Sequence, residues 1–108
     1  MSLDAQIIEP ITGKIDPELE AHLGVETHGL LFAHPELQSG RFPLLTRIRD
    51  YYSDADYSNN ELEALISEVE LAGVLFEPKS AVGHFLGPFH SLCCLAFLRN
   101  KDVALYAD

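Results

Sequence analysis

DPELEAHLG, residues 16–24, reads as a short helix, and that reading decides the fold class. Asp16 is a good capping residue, Pro17 suits the first helical position, Glu18 favours the positive end of the helix dipole, and Gly24 can end the helix in a left-handed conformation. Leu19 and Leu23, four apart, then share one face and turn it to the core. With this stretch helical, every long patterned segment of the chain is a helix.

Working outward, Ala5–Ile11 holds Ile7, Ile8 and Ile11 and is strand-like, but Pro10 makes it an edge or irregular piece. Leu30–Phe32 is too short for its periodicity to choose between strand and helix. RFPLLTRIRDYY, residues 41–52, places Leu44, Leu45, Ile48, Tyr51 and Tyr52 at helical spacing, with Pro43 in the first turn and Arg47 and Arg49 pointing to water or a partner.

SDADYSNNELEALISEVE, residues 53–70, opens like a calcium loop, with Asp54, Asp56 and Ser58 two apart. The twelfth position, where a bidentate Glu is needed, is Leu65, and the calcium reading fails there. Ser58 and Glu61 instead have the spacing of a capping box, with Tyr57 and Leu62 placed for a hydrophobic staple. The helix so started carries Leu62, Leu65, Ile66 and Val69 on one face and Glu61, Glu63, Glu68 and Glu70 on the remaining arc.

GPFHSLCCLAFLRN, residues 87–100, predicts a helix from Pro88 to Asn100 that is apolar nearly all round, hence central. VALYA, residues 103–107, is strand-like and can pair with Ala5–Ile8. The expected architecture is mainly α: one domain spanning residues 1–108, a compact helical body around the apolar C-terminal helix, with a small two-stranded sheet from the termini.

Apolar residues form 47% of the chain and charged ones 22%, the balance of a globular protein. The run Leu92–Leu98 is far below the ~20 residues that cross a bilayer, so a cytoplasmic protein is expected. Seventeen acidic against seven basic residues give a formal charge of −10, which repels nucleic acid and anionic membranes and favours a basic protein partner. The imbalance is local: Asp50 to Glu77 holds eight carboxylates and no Lys or Arg. Cys93 and Cys94 are adjacent, and on a helix their side chains diverge by ~100°, so reduced thiols are expected.

These observations nominate Asp54, Asp56, Glu61, Glu63, Glu68 and Glu70 as a partner-binding face, with Tyr57 as its anchor. Tyr51 and Tyr52 either join that interface or complete their helix's core side. The competing reading is a metal or small ligand held by His84, His90 and Cys94, with His28 or His34 as a further metal ligand; core packing accounts for the thiols more simply. There is no nucleophile elbow, phosphate-cradling loop or His-Glu-x-x-His helix. No catalytic residue and no cofactor are therefore expected.

The central piece, residues 41–70, together with LCCLAFLRNKDVALYAD at residues 92–108, resembles a group of small acidic bacterial proteins, some of which resemble immunity proteins of polymorphic toxin systems. The shared features are the Phe42-Pro43-Leu44-Leu45 helix, the aspartate-rich tyrosine turn with its serine cap, and the aliphatic-tyrosine tail. They cover about half of the chain. The resemblance implies a stoichiometric binder of a toxin domain, not an enzyme, and carries over no functional residue.

Overall fold

In the computed structural model, which describes residues 2–107, the decisive stretch is extended. Strand β2 runs Ile15–Gly24 and pairs antiparallel with β1, Ser2–Ile8. The helix expected there is overturned by a period of two that coexists with the period of four. Leu19, Ala21 and Leu23 turn inward while Glu18, Glu20 and His22 are exposed. Pro17 is tolerated because β2 is an edge strand and because the ladder breaks beside it. Ile7 faces Asp16 and Gln6 faces Glu20, which leaves residues 17–19 as a bulge. Asp16 caps no helix; its carboxylate accepts from the Glu18 N–H at 3.1 Å and from Lys101 Nζ at 2.8 Å.

The sheet has four strands in the order β2-β1-β4-β3, all neighbours antiparallel, with β3 at Ala55–Tyr57 and β4 at Asp102–Ala107. The fold is α+β, not mainly α. The termini do pair, Ala5 opposite Leu105, but as the middle of the sheet and not as a separate two-stranded one. Pro10 does not push β1 to an edge, because it lies beyond the strand in the turn to β2. There the Glu9 N–H donates to the Lys14 carbonyl and the Gly13 N–H to the Glu9 carbonyl, both at 2.9 Å, with Gly13 at φ +69°. Lys101 then reaches Glu9 at 2.9 Å, and Arg99 bonds Glu18, so ion pairs tie this hairpin to the start of β4.

Three helices cover the face that carries Leu3, Ala5, Ile7, Val103 and Leu105: α1 at Val25–Ala33, α2 at Asn59–Val74 and α3 at Ala81–Leu98. Sheet and helices make two layers around one core. Helix α2 buries Leu62, Leu65, Val69 and Ala72, with Ile66 half-buried. The Ser58–Glu61 capping box is formed, the Ser58 N–H donating to Glu61 Oε1 at 3.0 Å.

Helix α3 starts before Pro88, at Ala81, because the Ser80 hydroxyl accepts from the Gly83 N–H at 3.1 Å and supplies an earlier cap. Pro88 sits inside the helix on its exposed side, where water can replace the donor it lacks. This helix has 18 residues and a mean hydropathy of 1.5, enough by length and composition to cross a membrane. In the fold its Phe85, Phe89, Leu92 and Cys93 are buried in the core, and the helix packs on α2, β1, β2 and β4.

The helix expected over RFPLLTRIRDYY shrinks to one 3₁₀ turn, Leu45–Ile48. Long-range bonds cap the start of this turn and hold its end. The Leu44 and Leu45 N–H groups donate to Glu68, and the Leu44 carbonyl accepts from the Tyr57 hydroxyl. The Ile48 carbonyl accepts from His28 Nε2 at 2.8 Å. Leu45, Ile48 and Tyr51 are buried and Tyr52 is exposed, its ring standing edge-on to that of Tyr51 with centroids 5.4 Å apart.

Candidate functional site

Alternation along the strands leaves the second face of the sheet without a helical layer. It carries Asp4, Gln6 and Ile8 from β1, Glu20 and His22 from β2, Ala104 and Tyr106 from β4, and Asp56 from β3. Three of these eight residues are carboxylates, Asp4, Glu20 and Asp56. At the β2 side, His22 Nδ1 lies 2.7 Å from Asp4 Oδ1, and that bond raises the imidazole above its usual range. Asp4 is lowered in turn, first by the Ser2 hydroxyl and then by His22. At the β3 side the face opens into a cleft of about 510 Å³ lined by Ile8, Arg47, Asp54, Ala55, Asp56, Ala104 and Tyr106.

Two of the seven acidic-face residues named from the sequence line this cleft. Asp54 is anchored, Oδ1 accepting from the Ala107 N–H at 2.7 Å. Asp56 is exposed, and among the described residues its carboxylate has no hydrogen-bond or ion-pair partner; its backbone carbonyl accepts from Arg47 Nη1 at 3.0 Å.

The other five are dispersed. Tyr57, expected as an anchor, is fully buried, its hydroxyl donating to the Leu44 carbonyl at 2.7 Å and its ring 5.2 Å from the Arg47 guanidinium carbon. Burial drives its phenol far above the ordinary range. Glu68 is only 8% exposed and caps the Leu45–Ile48 turn, with Oε1 3.0 Å from Leu44 N and 2.9 Å from Leu45 N. Glu61 is engaged on both oxygens by Arg47, which with the Ser58 N–H holds its carboxyl down at about 2. Glu70 meets His90 Nε2 at 2.9 Å across α2 and α3. Glu63 is exposed with no such partner among the described residues. The continuous acidic face expected on α2 is therefore not formed: one of its four glutamates is inside the protein and two are paired.

His90 and Cys94 come together as the i, i+4 spacing predicts, Sγ lying 3.8 Å from Nδ1. His84 does not join them; six residues before His90, it lies roughly 120° round the helix and is exposed. Among the described residues no three His, Cys, Asp or Glu side chains form a group that could hold a metal ion. Burial raises the Cys93 thiol strongly, and burial followed by Glu70 raises Cys94, the reverse of what an activated thiol requires.

Tyr106, Ile8, Ala104 and Ala55 are the cleft residues that the sequence reading missed, and Arg47 was named only as facing water or a partner. The signal was the alternation of β4, where Val103 and Leu105 point inward and put Ala104 and Tyr106 outward. Comparison of the chain with protein-family models, with curated proteins and with solved structures finds no match.

Proposed function

We propose that this chain is a non-enzymatic binding domain that receives a basic segment of a partner protein on the open face of its sheet. Asp54 and Asp56 supply the charge and Tyr106, 37% exposed, the aromatic contact. The observation that carries this reading is the cleft of about 510 Å³ set in a sheet face without helical cover. The formal charge of −10 adds long-range attraction for a cationic partner. This moves the binding surface from α2, where internal bonds engage three of the four glutamates, to the β3–β4 end of the sheet. Stoichiometric occupation of a basic toxin domain is the behaviour that the resemblance to immunity proteins implies, and the cleft suits it.

The test is capture from a native lysate at ~0.15 M and ~1 M salt, where the screening lengths are about 8 and 3 Å. A basic partner is expected to be retained at the lower salt, released at the higher, lost with Asp56→Lys and kept with Glu63→Lys. Capture indifferent to Asp56→Lys, or abolished by Glu63→Lys, would overturn the assignment to the sheet face.

A further inference from the structure

Helices α2 and α3 leave a groove of about 240 Å³ between them. Its walls are Val69, Phe76, Pro78 and Leu86, and the Glu70–His90 pair stands at the end away from the helical connection. Two of its lining residues are glycines, Gly87 inside α3 and Gly73 in the last turn of α2, although glycine is the least favourable helical residue after proline. Packing within the chain does not demand them: at neither position would a Cβ meet any atom within 4 Å. Gly83 differs, since a Cβ there would fall 2.5 Å from the Glu77 carbonyl oxygen and 2.6 Å from that of Pro78. What Gly73 and Gly87 do is keep the groove wide.

The charge of the groove narrows what fills it. No Lys or Arg lines it, and Glu70 is its one carboxylate. An anion would be repelled by Glu70 and by the net charge of −10. Glu70 Oε2 meets His90, but Oε1 has no hydrogen-bond or ion-pair partner among the described residues, and a neutral hydrocarbon would leave it so. We propose that this groove binds a small hydrophobic amine, one ring or a short alkyl chain carrying a protonated nitrogen that donates to Glu70 while the apolar body lies between Val69, Phe76 and Leu86. The volume is below the ~300–1,000 Å³ of drug-sized sites, which limits the ligand to a body of that size. The site is separate from the sheet cleft and does not depend on the binding role proposed for it.

Titration of the nitrogen-15-labelled full chain with phenethylamine and with phenylacetate, which share a ring and differ in charge, tests this directly. Phenethylamine is expected to shift the backbone amides of Gly73, Gly83, Gly87 and His90 saturably, with phenylacetate at least about tenfold weaker. Glu70→Gln should weaken the amine about tenfold. Gly87→Ala and Gly73→Ala, which favour the helices and so keep the fold, should each weaken the response by narrowing the groove. No saturable response to the amine, equal responses to the two ligands, or a response unchanged in both alanine variants overturns the proposal. So does a response confined to Asp56 and Tyr106, which would assign the amine to the sheet cleft.

Discussion

Glu68 lies on the buried side of α2, three residues after Leu65 and four before Ala72, and its carboxylate is held there by the Leu44 and Leu45 N–H groups. Removing it leaves two inward-facing amides without an acceptor. Glu68→Ala should therefore lower unfolding free energy by about 3 kcal/mol in urea titrations, whereas Glu63→Ala, at an exposed position, should change it by less than about 0.5 kcal/mol. The sequence reading put Glu68 on the polar arc with the other glutamates; that it lies on the buried side was not legible, because its partners are amides more than 20 residues away. Glycines 73 and 83 make a second contrast. Gly83→Ala forces a methyl against the Glu77 and Pro78 backbone and should cost about 1–3 kcal/mol despite the better helix former. Gly73→Ala meets nothing and should gain up to about 1 kcal/mol. Thermal unfolding of the two variants side by side reads both signs.

The start of α2 was legible as an element, because a capping box is a local device whose two partners are three residues apart. Its electrostatics were not, since Arg47 reaches Glu61 from a different turn. The carboxyl of Glu61 sits at about 2 against an ordinary 4.5, so the stabilisation it gains is complete above about pH 4.5 and is lost as the pH falls towards 2. Both side chains are partly exposed, at 38% and 30%, so the pair itself contributes about 1 kcal/mol or less. Arg47→Met should flatten the fall of stability across that acid window, measured by urea unfolding at a series of pH values. Ser58→Ala should cost about 1 kcal/mol at neutral pH. Strand β2 shows the opposite case. Leu19 and Leu23 satisfy helix and strand alike, Asp16, Pro17 and Gly24 are good helix punctuation, and only Ala21 between the leucines favours a strand.

At the scale of the molecule, β1 and β4 are each hydrogen-bonded on both sides, while β2 and the three-residue β3 lie at the edges. Amide exchange should be slowest in β1 and β4 and faster along β3 and the outer part of β2. Ending the chain after Lys101 removes a central strand and should abolish the cooperative unfolding transition in urea. The acidic charge of −10, the absence of a disulfide between Cys93 and Cys94, the apolar stripe of α2 and the Ser58–Glu61 cap were determined by the sequence alone, because each depends on composition or on residues within two helical turns. Tertiary structure alone decided that residues 15–24 are a strand, that residues 41–52 do not form a helix, and which carboxylates remain on the surface. The reason is the same in all three: the hydrogen bonds that hold these arrangements come from β1, from Tyr57 and Glu68, and from Arg47, groups distant along the chain that no local pattern can bring into view.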